Sequence, residues 1–347
     1  MLDQQGTPVV IDNGSGWIKA GLAGEDEPTA VFPTVAERNE EGEEPKRVNP
    51  IRLGTIIDWD AMEKVWHHTL HDRLKVAPED HPVLLTDVPL NPKAYREKMA
   101  QIMFETFNCP AVYMANQAVL SLYAAGRTSG IVLDCGHDVS HIVPVYRGHA
   151  LPHPIKRLVF AGRSLTDYLA DLLADRGIPS LEIDTVREIK EKLGYVALDF
   201  DKEMSATSEK YFQLPNGKSI TIGQERFRCA EALFQPLLLD LESPGVHQAL
   251  HDSVMQCDID VRKELFGNVI LAGGSSMFGG MRDRLELELR SLAPSTVKVK
   301  VVAPVQRMYS AWRGGSNLAS LASCQKLWIT REEYDEFGLE VVQRKGL

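Results

Sequence analysis

The chain has 347 residues, a length that fits two folded units better than one, because each can then bury a core of its own. Apolar residues make up 44% of the sequence and charged residues 25%, as in soluble globular proteins. No apolar run reaches the roughly 18 residues of a membrane span, and residues 1–7 are too polar for a secretion signal. We therefore expect a cytoplasmic protein with no membrane partner.

The formal net charge of −10 excludes the basic surface on which nonspecific binding to nucleic acid depends. Its five cysteines are scattered without a CxxC pair, which predicts reduced thiols and excludes a disulfide framework or a zinc site. The partners we expect are proteins or a metal-chelated anion, and not nucleic acid.

Two segments about 120 residues apart share one design: residues 9–16 (VVIDNGSG) and 131–138 (IVLDCGHD). In each, an apolar strand ends in an acid and glycine, and a second strand-like stretch follows. Each copy predicts a β-hairpin, and two copies predict a duplicated fold with a shared cleft. A chance match of two β-turns is the alternative.

Apolar residues at helical spacing lie between and after the two copies. The pattern predicts helices over residues 91–107, 115–125, 164–176, 183–196, 280–292 and 317–327, and a strand over 269–271. This alternation is typical of an α/β fold. The segment 37–44 (ERNEEGEE) has no apolar residue and predicts a solvated loop.

The hairpins contain the residue types that a magnesium-chelated phosphate chain requires. Asp12 and Asp134 each stand at the end of an apolar strand, where carboxylates suit hydrated Mg²⁺. Lys19 on the returning strand adds a positive charge for a phosphate. The glycines that let backbone N–H groups approach the phosphates are Gly14, Gly16 and Gly136. The alternative is that the aspartates only cap turns.

A third glycine-bearing segment, residues 271–278 (LAGGSSMF), lies between a predicted strand and a predicted helix. Small residues at such a junction allow a base or a phosphate to lie against the backbone. Without the two hairpins, simple packing would explain these glycines better.

Segments over nearly the whole chain resemble eukaryotic-type actin. They are residues 11–16 (IDNGSG), 81–86 (HPVLLT), 89–93 (PLNPK), 103–108 (MFETFN), 117–123 (QAVLSLY), 195–200 (YVALDF), 225–228 (ERFR) and 314–316 (GGS). The resemblance implies the actin-like ATPase fold, an α/β fold with two duplicated ribonuclease-H-like lobes around a nucleotide cleft. It implies an outer lobe of residues 1–124 plus 310–347, with 33–50 as a truncated small subdomain. The inner lobe is then 125–309, with 161–241 as its small subdomain.

The resemblance also implies ATP or ADP with Mg²⁺ as cofactors, and it carries a site over residue by residue. Asp12 and Asp134 match the acids that hold the Mg²⁺ hydration shell. Gln117 and His141 match the pair that orients the attacking water, so we expect the catalytic residues to be these two with Asp134. The phosphate contacts fall on Ser15, Gly16, Trp17, Lys19, Gly136, His137, Asp138 and Val139. The nucleoside contacts fall on Gly162, Arg187, Lys190, Glu191, Gly273, Gly274, Ser275, Met277 and Phe278.

The second phosphate loop departs from the family pattern, because actin reads Asp-Ser-Gly-Asp-Gly where this chain reads DCGHD. A carboxylate of Asp138 within about 5 Å of the γ-phosphate would cost roughly 3 kcal/mol at an effective dielectric near 20. We expect nucleotide binding to survive and hydrolysis to be slow or absent. Met308 replaces a further lysine on the adenine side.

The outer small subdomain is shorter than in actin and lacks the loop region that inserts into the next subunit of a filament. The acidic segment in its place is poorly suited to burial in a neighbour. In contrast, residues 236–247 (PLLLDLESPGVH) keep an apolar head at the position of the cross-strand plug, although ordinary packing explains it equally well.

Proteins that regulate actin lay an apolar helix in a cleft, and the matching positions here predict a docking site for such a partner: Tyr123, Thr128, Gly148, Leu318 and Leu321. His149, where an aromatic residue is expected, weakens the transfer of any particular partner.

The function we expect is that of an ATP- and Mg²⁺-binding subunit of the cytoskeleton that self-associates in a modified way. The alternative is a non-polymerising scaffold subunit locked with nucleotide. A small-molecule kinase would need a carboxylate base that we cannot place. A chaperone would need a separate peptide-binding domain after the second lobe.

Overall fold

The computed structural model describes residues 6–38, 46–205 and 208–345. Most of the acidic segment 37–44 lies outside the described residues, so its prediction as a loop is untested there. Its first two residues, Glu37 and Arg38, belong to a strand instead. Within the described residues, no helix is both long and apolar enough to cross a membrane.

The strands alternate with helices along the chain. They are β1 (Val9–Asn13), β2 (Trp17–Leu22), β3 (Ala30–Pro33), β4 (Ala36–Arg38), β5 (Lys46–Val48), β6 (Ile51–Arg52), β7 (Thr55–Ile56), β8 (Val83–Asp87), β9 (Ala111–Asn116), β10 (Gly130–Cys135), β11 (Ser140–Tyr146), β12 (His149–Ala150), β13 (Lys156–Leu158), β14 (Lys210–Gln213), β15 (Ser219–Ile222), β16 (Val269–Ala272), β17 (Val301–Val302) and β18 (Ile329–Thr330).

The α-helices are α1 (Trp59–His67), α2 (Lys93–Gln101), α3 (Gln117–Ala124), α4 (Gly162–Asp175), α5 (Ile183–Leu193), α6 (Phe200–Ser205), α7 (Glu225–Glu231), α8 (Val246–Met255), α9 (Ile259–Gly267), α10 (Met281–Leu292), α11 (Ser310–Ala319), α12 (Arg331–Phe337) and α13 (Glu340–Lys345). Two π-helical turns follow α1 and α2 directly, at His68–Leu74 and Ile102–Thr106. Short 3₁₀ turns lie at Pro78–Asp80, Pro236–Leu239, Gly274–Ser276, Arg307–Tyr309 and Ala322–Leu327.

The chain divides into two compact units. Unit 1 contains Met1–Thr128, Val145–Pro152 and Tyr309–Leu347, and unit 2 contains Ser129–Pro144 and His153–Met308.

Unit 1 is built on a six-stranded sheet in the order β18-β9-β8-β1-β2-β3. Strand β1 pairs with β2 antiparallel and with β8 parallel, and β8 pairs with β9 parallel. Every residue of β1 and β8 is buried, as expected for central strands with helices on both faces. The ends of β1 and β8 therefore lie side by side.

Unit 2 repeats this arrangement. Strand β10 lies between β11 and β16, and β17 follows β16. Both the β10–β16 and the β16–β17 pairs are parallel. The strand order β2-β1-β8-β9 in the sheet of unit 1 thus corresponds to the strand order β11-β10-β16-β17 in the sheet of unit 2. This shared order confirms the duplicated α/β fold, because a chance match of two turns would not repeat the strands beyond each turn.

Several helix predictions need correction, among them the predicted helix 183–196, in which α5 ends at Leu193. The predicted helix 91–107 is α2 from Lys93 and gives way to the π-helical turn at Ile102. Residues 115 and 116 belong to β9, where they pair with Thr86 and Asp87 of β8. The predicted helix 317–327 is wrong: α11 spans Ser310–Ala319, and a 3₁₀ turn covers Ala322–Leu327.

The helix α11 begins earlier than predicted because it packs closely on α3. A Cβ built on Gly314 would lie 1.9 Å from the carbonyl oxygen of Leu120, so only glycine permits this approach. The Gly314-Gly315 pair has low helix propensity, and tertiary packing overrides that propensity here.

Candidate functional site

The turn between β1 and β2 places an acid and a lysine opposite each other. Asp12 pairs with Lys19 in the antiparallel register, and the Lys19 Nζ lies 2.9 Å from Asp12 Oδ2. Asp12 is 3% exposed, so its carboxylate is held at the buried end of the strand. A buried charge of this kind is stable only when ion pairs and hydrogen bonds surround it.

Two further side chains hold the other oxygen of this carboxylate. Thr86 Oγ1 donates to Asp12 Oδ1 at 2.8 Å, and Gln117 Nε2 donates to the same oxygen at 3.0 Å. The Gln117 amide also lies 3.1 Å from Thr86 Oγ1. We name Asp12, Lys19, Thr86 and Gln117 the unit 1 carboxylate network.

The position of Gln117 follows from the way α3 begins. Asn116 ends β9 and caps the helix, because its Oδ1 accepts from the backbone N–H groups of Ala118 and Val119. Gln117 is the first residue of α3, beside the ends of β1 and β8. Its predicted role in orienting water stays a prediction.

The turn residues themselves are tightly held. A Cβ on Gly14 would lie 2.5 Å from the carbonyl oxygen of Trp17 and 3.3 Å from Lys19 Nζ. The backbone carbonyl of Ser15 accepts from Asn49 Nδ2 at 2.6 Å. Glycine is therefore required at this turn because the backbone folds back onto itself.

Sequence reasoning missed several residues that hold this half of the site. Thr86 was quoted only as part of a family motif, although it ends an apolar strand as Asp12 does. Asn13 is fixed by Trp66, whose Nε1 donates to Asn13 Oδ1 at 3.0 Å. Thr34 Oγ1 donates to the carbonyl of Gly14 at 2.6 Å. Thr86 could have been found from the sequence, because it is a polar residue near the end of an apolar strand. Nothing in the sequence around Thr34 or Trp66 indicates their contacts with the turn.

In unit 2, the turn between β10 and β11 is closed by the Gly136 N–H, which donates to the Val139 carbonyl at 3.0 Å. Asp134 lies near the end of β10, beside Gly273 at the end of β16. A Cβ on Gly273 would lie 2.3 Å from Asp134 Oδ1, and Gly273 has a φ of 83°. Both the close approach and the backbone conformation require glycine there.

Two of the predicted nucleoside residues meet at the Gly136 carbonyl. It accepts from Ser275 Oγ at 2.7 Å and from the Gly162 N–H at 3.2 Å. A Cβ on Gly162 would lie 2.3 Å from Ser275 Oγ, so the segment 271–278 and the start of α4 approach each other closely.

Lys190 is buried, and its side chain hydrogen-bonds to the first turn of α4 beside the Gly136 carbonyl. Its Nζ donates to the Gly162 carbonyl at 2.6 Å and to Thr166 Oγ1 at 2.7 Å. Burial lowers the pKa of Lys190. The ammonium therefore supports the start of α4 directly, which is a role that sequence reasoning did not assign.

The remaining predicted nucleoside residues of unit 2 include both buried and exposed side chains. Arg187 forms an ion pair with Asp184 at 3.0 Å. Phe278 is buried, and its ring faces Gly194, where a Cβ would lie 2.6 Å away. The exposed members are Glu191, Gly274 and Met277.

The two unusual residues of the second loop lie next to each other. Asp138 is 6% exposed, and His137 Nε2 lies 3.8 Å from Asp138 Oδ1. Burial lowers the pKa of His137, while the neighbouring Asp138 carboxylate acts in the opposite direction. The loop therefore carries a buried acid whose charge the adjacent histidine offsets only when it is protonated.

His141 lies on β11 two residues beyond Val139, and it is buried. Burial lowers the pKa of His141 to about 4, and the nearby Arg157 acts in the same direction. The imidazole is therefore neutral at physiological pH and can accept a hydrogen bond, as the orientation of a water molecule would require.

Three of the residues predicted to form the docking site, Tyr123, Thr128 and Gly148, contact one another within unit 1. The Gly148 N–H donates to the Thr128 carbonyl at 2.7 Å, and a Cβ on Gly148 would lie 2.5 Å from the Tyr123 hydroxyl. Leu321 is exposed, whereas Leu318 packs partly against the core.

Together, the repeated strand order and the acid-and-glycine turns define an α/β protein with two duplicated units, each of which opens with a hairpin. The family model described as Actin matches residues 3–185 and 180–347. The chain therefore belongs to the actin family.

Proposed function

We propose that this actin-family chain binds ATP or ADP with Mg²⁺, hydrolyses ATP slowly, and acts in the cytoplasm as a cytoskeletal subunit with modified assembly. The observation that carries the proposal is the unit 1 carboxylate network. A buried carboxylate held by Lys19, Thr86 and Gln117 at the end of a central strand is an arrangement suited to a hydrated cation beside phosphates.

The described residues fit a magnesium nucleotide in most respects. Asp12 would hold the ion through its water shell, and the role of Asp134 as a second such acid stays a prediction. The turn at Gly14 is too narrow for a side chain, because a Cβ there would lie 2.5 Å from the Trp17 carbonyl oxygen. Within the described residues, no group of three or more His, Cys, Asp or Glu side chains is placed to hold a metal ion.

When bound, Mg²⁺ would neutralise phosphate charge. Lys19 would add a second positive charge, and Gln117 would keep the Asp12 carboxylate in one orientation through its hydrogen bond. The neutral imidazole of His141 would accept a hydrogen bond from a water molecule and so orient it. The glycines at 162 and 273 let the segments around the Gly136 turn pack closely, because a Cβ there would overlap Ser275 and Asp134.

Asp138 is the residue that argues for slow hydrolysis. Its carboxylate is buried in the loop that would face the phosphates, and burial strengthens electrostatic repulsion between like charges. We infer that repulsion weakens ATP binding and disfavours the additional charge that develops during phosphoryl transfer.

Two features bear on assembly in opposite directions. Leu237, in the 3₁₀ turn Pro236–Leu239, is 73% exposed, which favours an apolar contact with another subunit. Residues 33–50, the expected truncated small subdomain, contribute the short strand pair β4–β5, and Arg38 forms an ion pair with Asp58 at the start of α1. A truncated subdomain favours the second candidate, a non-polymerising scaffold.

Phosphate release and sedimentation, measured together on the full chain with ATP and Mg²⁺, separate these candidates. A cytoskeletal subunit pellets above a critical concentration, and a Leu237→Ser variant requires a higher concentration to do so. A scaffold binds nucleotide but stays in the supernatant at every concentration. Fast phosphate release by the unmodified chain would contradict the role given to Asp138.

A further inference from the structure

A pair of histidines lies on the exposed face of the first helix of unit 1. His67 is the last residue of α1, and His71 lies in the π-helical turn that continues it, four residues later. Both side chains are exposed. Residues four apart on a helix are neighbours on its surface, and π-helical turns occur often at functional sites.

The opposite face of this segment is firmly anchored, so the histidines project from a fixed backbone. The buried residues are Met62, Val65, Trp66, Thr69 and Leu70. Thr69 Oγ1 also donates to the carbonyl of Val65 at 2.6 Å. A rigid support of this kind lowers the entropic cost of bringing two ligands to one ion.

The two imidazole rings are already close. Their centroids are 4.3 Å apart, with an angle of 46° between the ring planes. Zinc binds imidazole nitrogen at about 2.0–2.1 Å, so two nitrogens on one ion lie about 3 Å apart. Small rotations of the side chains bring the rings to that spacing.

The neighbouring charges favour a cation at this position. Asp72 is exposed, and its Oδ2 lies 2.8 Å from His68 Nδ1. Asp72 therefore places a carboxylate beside the pair, while His68 hydrogen-bonds to Asp72 and its ring lies 5.1 Å from the ring of Phe32.

We propose that His67 and His71 together bind one divalent ion of the late first-row transition metals, such as Ni²⁺, Cu²⁺ or Zn²⁺. Imidazole is a preferred ligand of these ions, and affinity rises toward Cu²⁺ in this series. The described residues offer no third His, Cys, Asp or Glu ligand arranged around the same ion. Water molecules fill the remaining positions.

The test is calorimetric titration of Ni²⁺ into the untagged full-length chain at neutral pH. Millimolar Mg²⁺ is present throughout, because Mg²⁺ prefers oxygen ligands and saturates carboxylate sites without competing for imidazole. His67→Asn and His71→Asn each remove one ligand of the pair. His68→Asn and His153→Asn are the controls, since His68 lies beside the pair and His153 is an exposed histidine elsewhere.

We expect one Ni²⁺ per chain, and an affinity about 10- to 100-fold lower in each of the first two variants, because a chelate loses its advantage when one ligand is removed. The two controls should bind within about twofold of the unmodified chain. Thermal unfolding of each variant verifies that it is folded. Equal binding by all four variants, or an equal loss in His68→Asn, would overturn the assignment. This outcome is independent of nucleotide binding.

Discussion

The ammonium of Lys19 lies 2.9 Å from the Oδ2 of Asp12, directly across the antiparallel pair formed by the first two strands. Thr86 and Gln117 donate to the other oxygen of the same carboxylate. The acid is therefore held from three sides before any ligand is considered. Its orientation is a property of the fold, which follows from the parallel pairing of β1 with β8.

Asp12→Asn should destabilise unit 1. Lys19, Thr86 and Gln117 all donate to the Asp12 carboxylate, and the NH₂ group of an asparagine would face at least one of these donors without an acceptor between them. Leaving a buried donor unsatisfied costs about 1 to 3 kcal/mol. Urea unfolding measures this loss. Asp26→Asn, an exposed acid in the same unit, is the control and should change stability by less than about 0.5 kcal/mol. Equal stabilities of the two variants would show that the network contributes little.

Removing the charge of Asp138 should strengthen ATP binding by up to about 100-fold, since repulsion of roughly 3 kcal/mol is relieved. Asp138 is not among the described residues with a positive φ, so backbone strain does not explain its effect. Asp138→Asn keeps the shape and removes the charge, while Asp138→Gly also removes the side chain. We expect similar gains in both, measured by calorimetry with Mg²⁺. A gain in the glycine variant alone would assign the effect to the backbone.

Because His141 is buried, we expect the free energy of unfolding to fall in mild acid. Burial lowers its pKa to about 4 in the folded chain, whereas the ordinary value is 6.5, so between these values the unfolded chain binds the proton and the folded chain does not. Stability therefore falls as the pH is lowered through this window, by up to about 3 kcal/mol. Denaturant unfolding at several pH values should show a flatter profile for His141→Gln.

The control for that profile is His153→Gln, which changes an exposed histidine. Its stability should follow the unmodified chain at each pH. If His141→Gln also follows the unmodified chain, the folded protein admits a proton at this position, and the neutral imidazole required by the proposed function is absent.

Much of the fold was predictable because central strands have a strong signal. The apolar runs of β1, β8 and β10 are continuous, and each hairpin turn carries an acid and glycine. The bounds of α11 were not predictable, because two consecutive glycines, Gly314 and Gly315, indicate the end of a helix. Only the close contact of Gly314 with Leu120 explains why the helix continues through them. The two π-helical turns have no distinct sequence pattern, since their residues also suit an α-helix.

The positions of Asp12 and Asp134 near the ends of two strands could be predicted from the sequence, because an acid closes each apolar run. The hydrogen bonds of Lys190 could not: its ammonium donates to the Gly162 carbonyl and to Thr166. Its role as a nucleoside contact stays a prediction. Sequence places a residue along the chain, but the hydrogen bonds that occupy its side chain depend on helices that approach from elsewhere in the fold.

Unit 2 depends on a buried ion pair between Glu231 at the end of α7 and Arg284 of α10. The pair is bidentate, with both bonds at 2.9 Å, and Glu231 is fully buried. Glu231→Gln leaves the buried guanidinium with Glu288 as its remaining counter-charge, through an Nε–Oε1 contact of 2.7 Å, and should cost about 1.5 to 3 kcal/mol because a charged hydrogen-bonded pair is lost. Glu340→Gln, which breaks an exposed pair with Arg344, should cost about 0.5 kcal/mol or less. Urea unfolding distinguishes them, and equal losses would contradict this account.

The most direct test of the proposed function is calorimetric titration of ATP into the full chain, with and without Mg²⁺, alongside a Lys19→Met variant. We predict one ATP per chain, binding that requires Mg²⁺, and an affinity about 10- to 100-fold lower in the variant, because a charged hydrogen bond to phosphate is lost. A folded, unmodified chain that binds no ATP at millimolar concentration with Mg²⁺, or that binds it equally well without Lys19, would contradict the proposal.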